Sequence, residues 1–551
     1  MLFNSLEFLV FFPVVYCLYM GLPFRLQNYM LVIAGYVFYG WWDVRFLFLV
    51  VISTTVDFWV GLMIENGRLQ LRQQLVPTIF FIGSAFIFLG LDWKALLTLA
   101  TSLPGSADLV SVRTGWSVVG AIAFLAVLFG VFATVSRVQI EPRRRLLCVM
   151  ISLVTQLGLL AVFKYYNFFI DSLSAALAGA GINSAAFHLH VVLPVGISFY
   201  TFQSLSYTID IYRRQLKPTE RFTDFALFVA YFPPLQAGPI ERGRHLIPQL
   251  AQQRQITLDQ TARGLYLVIL GFFKKIAIAD GISPVVDQIF GSSGRVSWID
   301  VVAATALFAI QIYCDFSGYT DIARGVSKML GINLIVNFDQ PYFATNPQEF
   351  WRRWHISLST WLRDYLYVPL GGNKGGVAFV CRNLMITMLL GGLWHGAAWN
   401  FVLWGLYQGI ALCVYRVWRE YVERHKVASA PNRSIAGAAV RRLLAWVFFS
   451  IVVCYGWLLF RAHSFAQIAD FTTLLITDFG NLDYGARAPR LSALCGMVLL
   501  LAIELAQYWR VDPCFYRRLP VPVRGLLIAA MIAITFMGMS NEPAQFIYFQ
   551  F

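Results

Sequence analysis

Two histidines are the residues of this sequence best suited to catalysis. His355 ends the polar segment 346–355, and His395 follows Trp394 in a run of small and apolar residues. An imidazole among apolar residues stays neutral at neutral pH and is able to act as a general base. For His395 the alternative is a core histidine that is hydrogen-bonded to a backbone carbonyl. The sequence has no G-x-S-x-G, Walker or H-E-x-x-H motif, so it favours direct transfer between two bound substrates.

The segment around the first histidine has the signals of a helix start. Asn346 is a suitable N-cap, Pro347 suits the first helical position, and Glu349 has the spacing of a capping box. We therefore predict one helix from there as far as Pro369. It would carry two adjacent stripes, Trp351, His355, Leu358 and Leu362 on one and Arg352, Ile356, Ser359 and Arg363 on the next. A helix lying in the membrane interface would show the same pattern.

The second histidine lies between two glycines. Gly392 and Gly396 are four residues apart, which allows a neighbouring helix to approach closely.

Two weaker sites remain. His188 and His190 supply only two of the ligands that a metal needs, so a solvated loop is the simpler interpretation. The glycine-rich segment 371–376 with Lys374 would suit phosphates on the cytoplasmic side.

The elements that position these histidines belong to a membrane protein. Of the 551 residues 58% are hydrophobic and only 13% are charged, about half the charged fraction of a soluble domain. This composition excludes a soluble enzyme, a disordered chain and a fibrous repeat. We predict an all-α polytopic integral membrane protein with about 11 to 14 membrane segments. Segments 28–43, 224–235 and 300–314 are short enough to be re-entrant or tilted.

The charge of the chain indicates its orientation. The 43 Lys and Arg outnumber the 29 Asp and Glu, but the cations cluster in short loops between apolar runs, so we predict no nucleic-acid partner. Placing the basic loops in the cytoplasm satisfies the positive-inside rule and leaves both termini outside. The eight cysteines include no C-x-x-C pair, and we predict no metal site and no disulfide framework. No linker divides the chain, which predicts one membrane domain over residues 1–551.

Four long motifs stand out in the sequence: FWRRWHISLSTWLRDYLYVPLGGN at 350–373, DFSGYTDIARG at 315–325, LWHG at 393–396 and YFPPLQAGPIER at 231–242. With these motifs the sequence resembles the membrane-bound O-acyltransferase family, in particular its alginate O-acetylation branch. The resemblance covers residues 1 to about 470. It implies a ring of membrane helices around a thin centre, with a tunnel or funnel that leads to the histidines. It also implies that His355 and His395 are the catalytic residues.

The resemblance further implies a reaction. An acetyl group from a cytoplasmic thioester, with acetyl-CoA as the expected donor, would cross the bacterial cytoplasmic (inner) membrane. It would pass to an extracytoplasmic partner acetyltransferase that modifies a polysaccharide such as alginate. Membrane lipid is the surrounding medium, and no cofactor is expected to be permanently bound. Which histidine removes the acceptor proton stays open.

Other polar and aromatic residues would assist the histidines. We expect Arg352, Arg363 and Lys374 to face the phosphates of CoA. Asp315 and Asp364 are expected to hold an arginine or an imidazole in place. The residues expected to line or support the tunnel are Asp315, Trp351, Trp354, Asp364, Trp394 and Asn400.

Three alternative functions compete with this one. Within the family, the acyl group would be D-alanyl and the donor a carrier protein that bears a phosphopantetheine thioester. Outside it, a transporter of a lipid-linked glycan would also place polar groups inside the membrane, although such folds often have duplicated halves and we detect no internal repeat. A structural subunit of a secretion complex with inert histidines is the third.

Overall fold

The computed structural model describes residues 1–93, 112–181, 189, 191–292, 294, 296–425, 435–510, 514–540, 546 and 547. These residues fold into helices joined by turns and short loops, which confirms the all-α class. They group into two compact units, Met1–Thr257 with Leu330–Leu334, and Leu258–Met329 with Ile335–Phe551. The predicted ring with a central tunnel and the single domain stay predictions. His188 and His190 lie outside the described residues.

The first unit contains eleven helices in the described residues. They are α1 Leu6–Gly21, α2 Phe24–Gly40, α3 Leu47–Asn66, α4 Leu71–Ser84, α5 Val112–Ser136, α6 Glu141–Leu160, α7 Tyr166–Gly179, α8 Ile197–Tyr212, α9 Phe222–Ala230, α10 Phe232–Leu235 and α11 Gly243–Ala251. Their core is polar as well as apolar. Gln156 of α6 donates a hydrogen bond to Asp57 of α3 at 2.8 Å, and Ser53 donates to Gln156 at 3.0 Å. Such bonds hold helices together where lipid supplies no hydrophobic driving force.

The second unit also contains eleven helices among its described residues. They are α12 Leu258–Phe272, α13 Asp280–Phe290, α14 Trp298–Met329, α15 Pro347–Arg353, α16 Ile356–Leu362, α17 Val377–His395, α18 Trp399–Arg424, α19 Ile435–Arg461, α20 Phe465–Thr477, α21 Leu491–Arg510 and α22 Val521–Gly538. A π-helical segment, Phe273–Ala279, joins α12 to α13. This unit contains both predicted catalytic histidines.

Glycines bring α12 and α14 into contact. A Cβ atom added to Gly264 would lie 2.6 Å from the Gly325 carbonyl oxygen, and one added to Gly271 would lie 2.6 Å from that of Gly318. The order of these contacts makes the two helices antiparallel. A similar contact joins α17 to α18, because a Cβ on Gly392 would lie 2.3 Å from the Phe401 carbonyl oxygen. The close approach predicted at Gly392 is therefore confirmed.

Ten helices of the described residues are long and apolar enough to cross a membrane, and α1 and α20 are shorter apolar helices. The ten fall one short of the predicted range, and the two shorter helices bring the number into it. The prediction that 300–314 is a short, separate segment is wrong. It is part of α14, which has 32 residues. The polar residues after position 314 continue the helix because their side chains are buried against partners inside the unit.

Candidate functional site

The helix predicted from Pro347 to Pro369 is interrupted at the first histidine. The α15 helix ends at Arg353, and α16 begins at Ile356. His355 between them has a left-handed backbone, with φ +43° and ψ +54°. The prediction that Trp351, His355, Leu358 and Leu362 form a single stripe is therefore wrong, because the break in the helix changes the direction of the imidazole relative to both short helices. A non-glycine residue in this conformation is strained and is typical of functional sites.

The neighbouring segment 335–340 causes this break. The backbone N–H of Ile356 donates to the Asn337 carbonyl oxygen at 2.9 Å, and that of Asp339 donates to the Arg353 carbonyl oxygen at 3.0 Å. The Ser357 N–H donates to Asn337 Oδ1 at 3.2 Å. These tertiary bonds replace the bonds within a helix that Ile356 and Ser357 would otherwise make. A residue far from the predicted helix thus decides where it ends.

His355 is fully buried, with 0% of its surface exposed. Its Nδ1 lies 3.1 Å from Asn337 Oδ1. Phe316 of α14 meets the imidazole edge to face, with ring centroids 4.7 Å apart. His355 lies between α15 and α16, outside the ten candidate spans. Burial lowers the pKa of its imidazole, so the ring is neutral at neutral pH and is able to accept a proton.

The structure brings the second histidine to the first. The ring centroids of His355 and His395 are 6.3 Å apart, although the residues belong to different helical segments. Trp394 packs against both rings, at 5.8 Å from His355 and 5.0 Å from His395. Trp404 and Phe460 cover other sides of His395 at 5.0 and 5.5 Å. The two imidazoles thus lie in one aromatic enclosure that excludes most solvent.

The predicted tryptophans belong to this enclosure. Trp354 is buried and packs against Trp457 at 4.8 Å, and Trp351 packs against Trp404 at 5.9 Å. Among the residues that the structure describes, the indole N–H groups of Trp351 and Trp404 have no hydrogen-bond partner. Buried donors of this kind are normally satisfied in proteins. They are available to water or to the oxygen atoms of a substrate.

A cavity of about 880 Å³ lies beside this enclosure within the second unit. Phe338 and Ile356, which flank Asn337 and His355 in the sequence, form part of its wall, as does Thr320 of α14. Asn337 Nδ2 donates a long hydrogen bond of 3.5 Å to Thr320 Oγ1. The cavity wall is therefore connected to the His355 imidazole through one side chain, that of Asn337.

Charged residues line the cavity. The five cations are Arg263, Lys274, Arg324, Lys328 and Arg353, and the three carboxylates are Asp321, Asp339 and Glu504. Lys274 lies 2.8 Å from Asp321, which Arg324 also approaches at 3.4 Å. The Tyr313 hydroxyl donates to Glu504. The cations exceed the carboxylates, so the cavity suits an anionic ligand.

The cations that we predicted for the CoA phosphates lie elsewhere. Arg352, Arg363 and Lys374 are exposed, and none of them lines this cavity. The break at His355 separates Arg352 from Arg363, so the stripe predicted to carry both of them does not form. The contribution of these three residues to donor binding stays a prediction.

Of the two predicted carboxylate supports, Asp364 pairs with an arginine as expected and Asp315 does not. Asp315 lies 2.8 Å from Lys275 and accepts a hydrogen bond from the Ile547 N–H at 2.7 Å, so it holds a lysine rather than an arginine or imidazole. Asp364 pairs with the adjacent Arg363 at 2.7 Å. Asn400 donates to the Phe460 and Ala462 carbonyl oxygens at 3.3 and 3.1 Å. Asn400 therefore joins the start of α18 to the end of α19.

Sequence reasoning missed Asn337, which connects the cavity wall to His355, and three charged residues that lie inside apolar runs. Lys274 and Lys275 interrupt an apolar run, and Glu504 lies inside another, so each carried a usable signal. Asn337 carried none, because an asparagine between apolar residues in a connecting segment is common. The site thus combines a buried, neutral imidazole, the Asn337 amide that contacts it, and a cationic cavity whose wall the same amide contacts.

Comparison with known proteins identifies similar chains. The model of the membrane-bound O-acyltransferase family matches residues 215–457. The chain is 38% identical to the probable alginate O-acetylase AlgI of Azotobacter vinelandii, over 84% of this chain and 76% of that protein. It is 35% identical to the peptidoglycan O-acetyltransferase of Helicobacter pylori, over 62% and 66% of the two chains. It is 30% identical to the teichoic acid D-alanyltransferase of Streptococcus thermophilus, over 41% and 57%.

Proposed function

The chain belongs to the membrane-bound O-acyltransferase family and is an O-acyltransferase of the membrane, and from this we propose that it moves an acetyl group from cytoplasmic acetyl-CoA to an extracytoplasmic acceptor. The observation that carries this proposal is the pair of buried imidazoles, 6.3 Å apart, beside a cationic cavity of about 880 Å³. A transporter of a lipid-linked glycan has no use for a neutral base held in an aromatic enclosure. A structural subunit with inert histidines would not need such an enclosed base either.

The chemistry is an acyl transfer in one enclosed site. An acceptor hydroxyl attacks the thioester carbonyl while an imidazole nitrogen removes its proton. The new C–O bond forms, the C–S bond breaks, and the leaving thiolate takes a proton from the imidazolium. General-base assistance accelerates such a step by about 10²–10⁴-fold. Holding both substrates in the enclosure adds the advantage of orientation.

The cavity supports a CoA donor. Its wall carries more cations than carboxylates, and we take Arg324, Lys328 and Arg353 as the candidates for contacts with phosphate groups. A volume of about 880 Å³ lies in the upper part of the range for ligand sites, about 300–1,000 Å³. Tyr508, Cys514 and Tyr516 also line the cavity. The basic residues next to them in the sequence, Arg510, Arg517 and Arg518, are expected on the cytoplasmic side by the positive-inside rule. The proposed donor is on the same side.

The names of the relatives support a polysaccharide acceptor. Their printed names include alginate O-acetylase and peptidoglycan O-acetyltransferase. We infer that the acetyl group reaches an exopolysaccharide such as alginate through a partner acetyltransferase outside the bacterial cytoplasmic membrane. D-Alanyl transfer from a carrier protein is the second candidate, because teichoic acid D-alanyltransferases are among the similar proteins.

The test uses the purified full chain in sealed vesicles, with radiolabelled acetyl-CoA supplied on one side. We expect the wild type to consume the thioester and His355→Ala and His395→Ala to lose at least about 100-fold in rate. His425→Ala is the matched control, because His425 is exposed at the end of α18. If a carrier-protein thioester is consumed and acetyl-CoA is not, the D-alanyl candidate replaces this one. Full activity of both histidine variants would refute the catalytic assignment.

A further inference from the structure

The side chain of Asn337 is held by several hydrogen bonds in this site, one of them with the His355 imidazole. The Asn337 side chain has 0% exposed surface, and its Oδ1 atom accepts from three donors. The distances are 3.1 Å to His355 Nδ1, 3.2 Å to the Ser357 backbone nitrogen and 2.9 Å to Ser357 Oγ. Three contacts on one amide oxygen hold this side chain in a single orientation.

The contacts of Asn337 determine the tautomer of the histidine. The Ser357 backbone N–H is always a donor, so the amide atom that faces it must be the oxygen. The His355 Nδ1 atom faces the same oxygen and must therefore carry the hydrogen. In a neutral imidazole the lone pair then lies on Nε2. Nε2 has no hydrogen-bond partner among the residues that the structure describes.

We propose that Asn337 is a positioning residue that holds His355 in the Nδ1–H tautomer and so makes His355 Nε2 the atom that takes the acceptor proton. The inference rests on the proposed acyl transfer and extends it, because it assigns the base to one histidine and one atom. Asn337 acts through His355, in the way that a buried carboxylate orients the histidine of a serine protease. Being neutral, it orients the ring without adding a charge to the enclosure.

Burial among uncharged neighbours keeps His355 neutral before the reaction. Phe316 of α14, Phe338 of the connecting segment and Trp394 and His395 of α17 face the imidazole. Of these neighbours only His395 is titratable, and no carboxylate is among them. An aspartate at 337 would keep the geometry of the three donors and place a carboxylate beside Nδ1. It would raise the pKa of the imidazole.

The first experiment measures the tautomer without any turnover. Histidine ¹⁵N chemical shifts of the full chain in vesicles distinguish a protonated from an unprotonated ring nitrogen, and His355→Gln identifies the signals of His355. We expect a protonated Nδ1 and an unprotonated Nε2 in the wild type, and a mixture of tautomers in Asn337→Ala. A protonated Nε2 in the wild type would overturn the proposal, whether or not acetyl-CoA is the donor.

The second experiment compares rates across pH with acetyl-CoA as donor. We expect Asn337→Ala to lose about 100-fold or more in kcat with little change in KM. Asn337→Asp should recover most of that loss, with the acid limb of its rate profile moved to higher pH, because the base must be neutral to act. Ser357→Ala is the matched control, since it removes one donor to the same oxygen and leaves the imidazole contact intact. Equal losses in Asn337→Ala and Ser357→Ala would assign Asn337 a purely structural role.

The two experiments separate this inference from the proposed function. If the wild type does not consume acetyl-CoA, the proposed donor is wrong, while the tautomer measurement still decides the role of Asn337. If the wild type is active and Asn337→Ala stays within about threefold of it, the positioning role is wrong and the proposed function stands. Thermal unfolding of each variant in detergent shows whether a loss of rate comes from loss of the fold.

Discussion

Replacing Lys275 by methionine should destabilise the second unit more than any surface charge substitution. The lysine lies 2.8 Å from both Asp280 and Asp315, and the side chains of the three residues are 7%, 6% and 3% exposed. Methionine has a similar length and no charge. The Lys275→Met variant would leave two buried carboxylates close together without their shared cation.

The size of the effect follows from this geometry. Two unit charges 2.8 Å apart attract by about 6 kcal/mol at an effective dielectric constant of about 20. Most of that attraction offsets the cost of removing the charges from water, so the intact cluster adds little net stability. Removal of one partner is different, because it leaves buried charge uncompensated and costs about 3–5 kcal/mol. Replacing all three groups together, as Lys275→Met/Asp280→Asn/Asp315→Asn, should recover most of this loss.

The assay is the free energy of unfolding in mixed micelles, followed by tryptophan fluorescence. Arg363→Met is the control, because its pair with Asp364 has an arginine side chain that is 60% exposed and should be worth less than about 1 kcal/mol. A Lys275→Met variant as stable as this control would refute the reasoning. A triple variant no more stable than Lys275→Met would show that lost packing, rather than uncompensated charge, causes the effect.

Three further predictions concern other parts of the chain. Arg324→Ala should raise KM for acetyl-CoA about tenfold with kcat nearly unchanged, since a cation–phosphate contact is worth roughly 1.5 kcal/mol. The control is Lys374→Ala, which removes an exposed cation outside the cavity and should leave both KM and kcat unchanged. Gly318→Leu should lower the free energy of unfolding by about 2–3 kcal/mol, because a Cβ atom there would lie 2.8 Å from a backbone oxygen of α12. The control is Gly120→Leu, which should leave the free energy of unfolding unchanged because no atom lies within 4 Å of the added Cβ. His245 Nδ1 donates a hydrogen bond to the Glu241 carboxylate at 2.7 Å, which raises the pKa of His245. The stabilising effect of this bond is therefore present at low pH and is lost as pH rises through the raised pKa. The difference in unfolding midpoint between wild type and His245→Gln should therefore be larger at about pH 5.5 than at about pH 8.5.

Much of the fold was predictable because membrane insertion imposes strong constraints. An apolar run of about 20 residues must satisfy its own backbone, so composition and run length predict helices. The glycine spacing at Gly392 correctly predicted a close helix contact. The extent of α14 was not predictable from run length, because Asp315 and Asp321 resemble the end of an apolar segment. They remain inside the helix because Lys275 and Lys274 neutralise them.

The candidate site was predictable in its residues and not in its geometry. The motifs around His355 and His395 and their apolar surroundings singled out both histidines, and the structure brings their rings to 6.3 Å. The grouping of the cavity's cations was not predictable, because α12, the π-helical segment Phe273–Ala279, α14 and α15 contribute them and only the tertiary structure brings these elements together.

The sequence by itself determined that this is a polytopic helical membrane protein, which family it resembles and which two imidazoles are its candidate bases. Those properties depend on composition, run length and local motifs. Tertiary structure alone decided that the helix breaks at His355, that Asn337 orients its ring, and that Arg324 and its neighbours form the cavity. Each depends on hydrogen bonds or contacts between segments distant in the chain, such as the 2.9 Å bond from the Ile356 N–H to the Asn337 carbonyl oxygen. Local propensity favours a continuous helix at that point, and the tertiary bonds outweigh it.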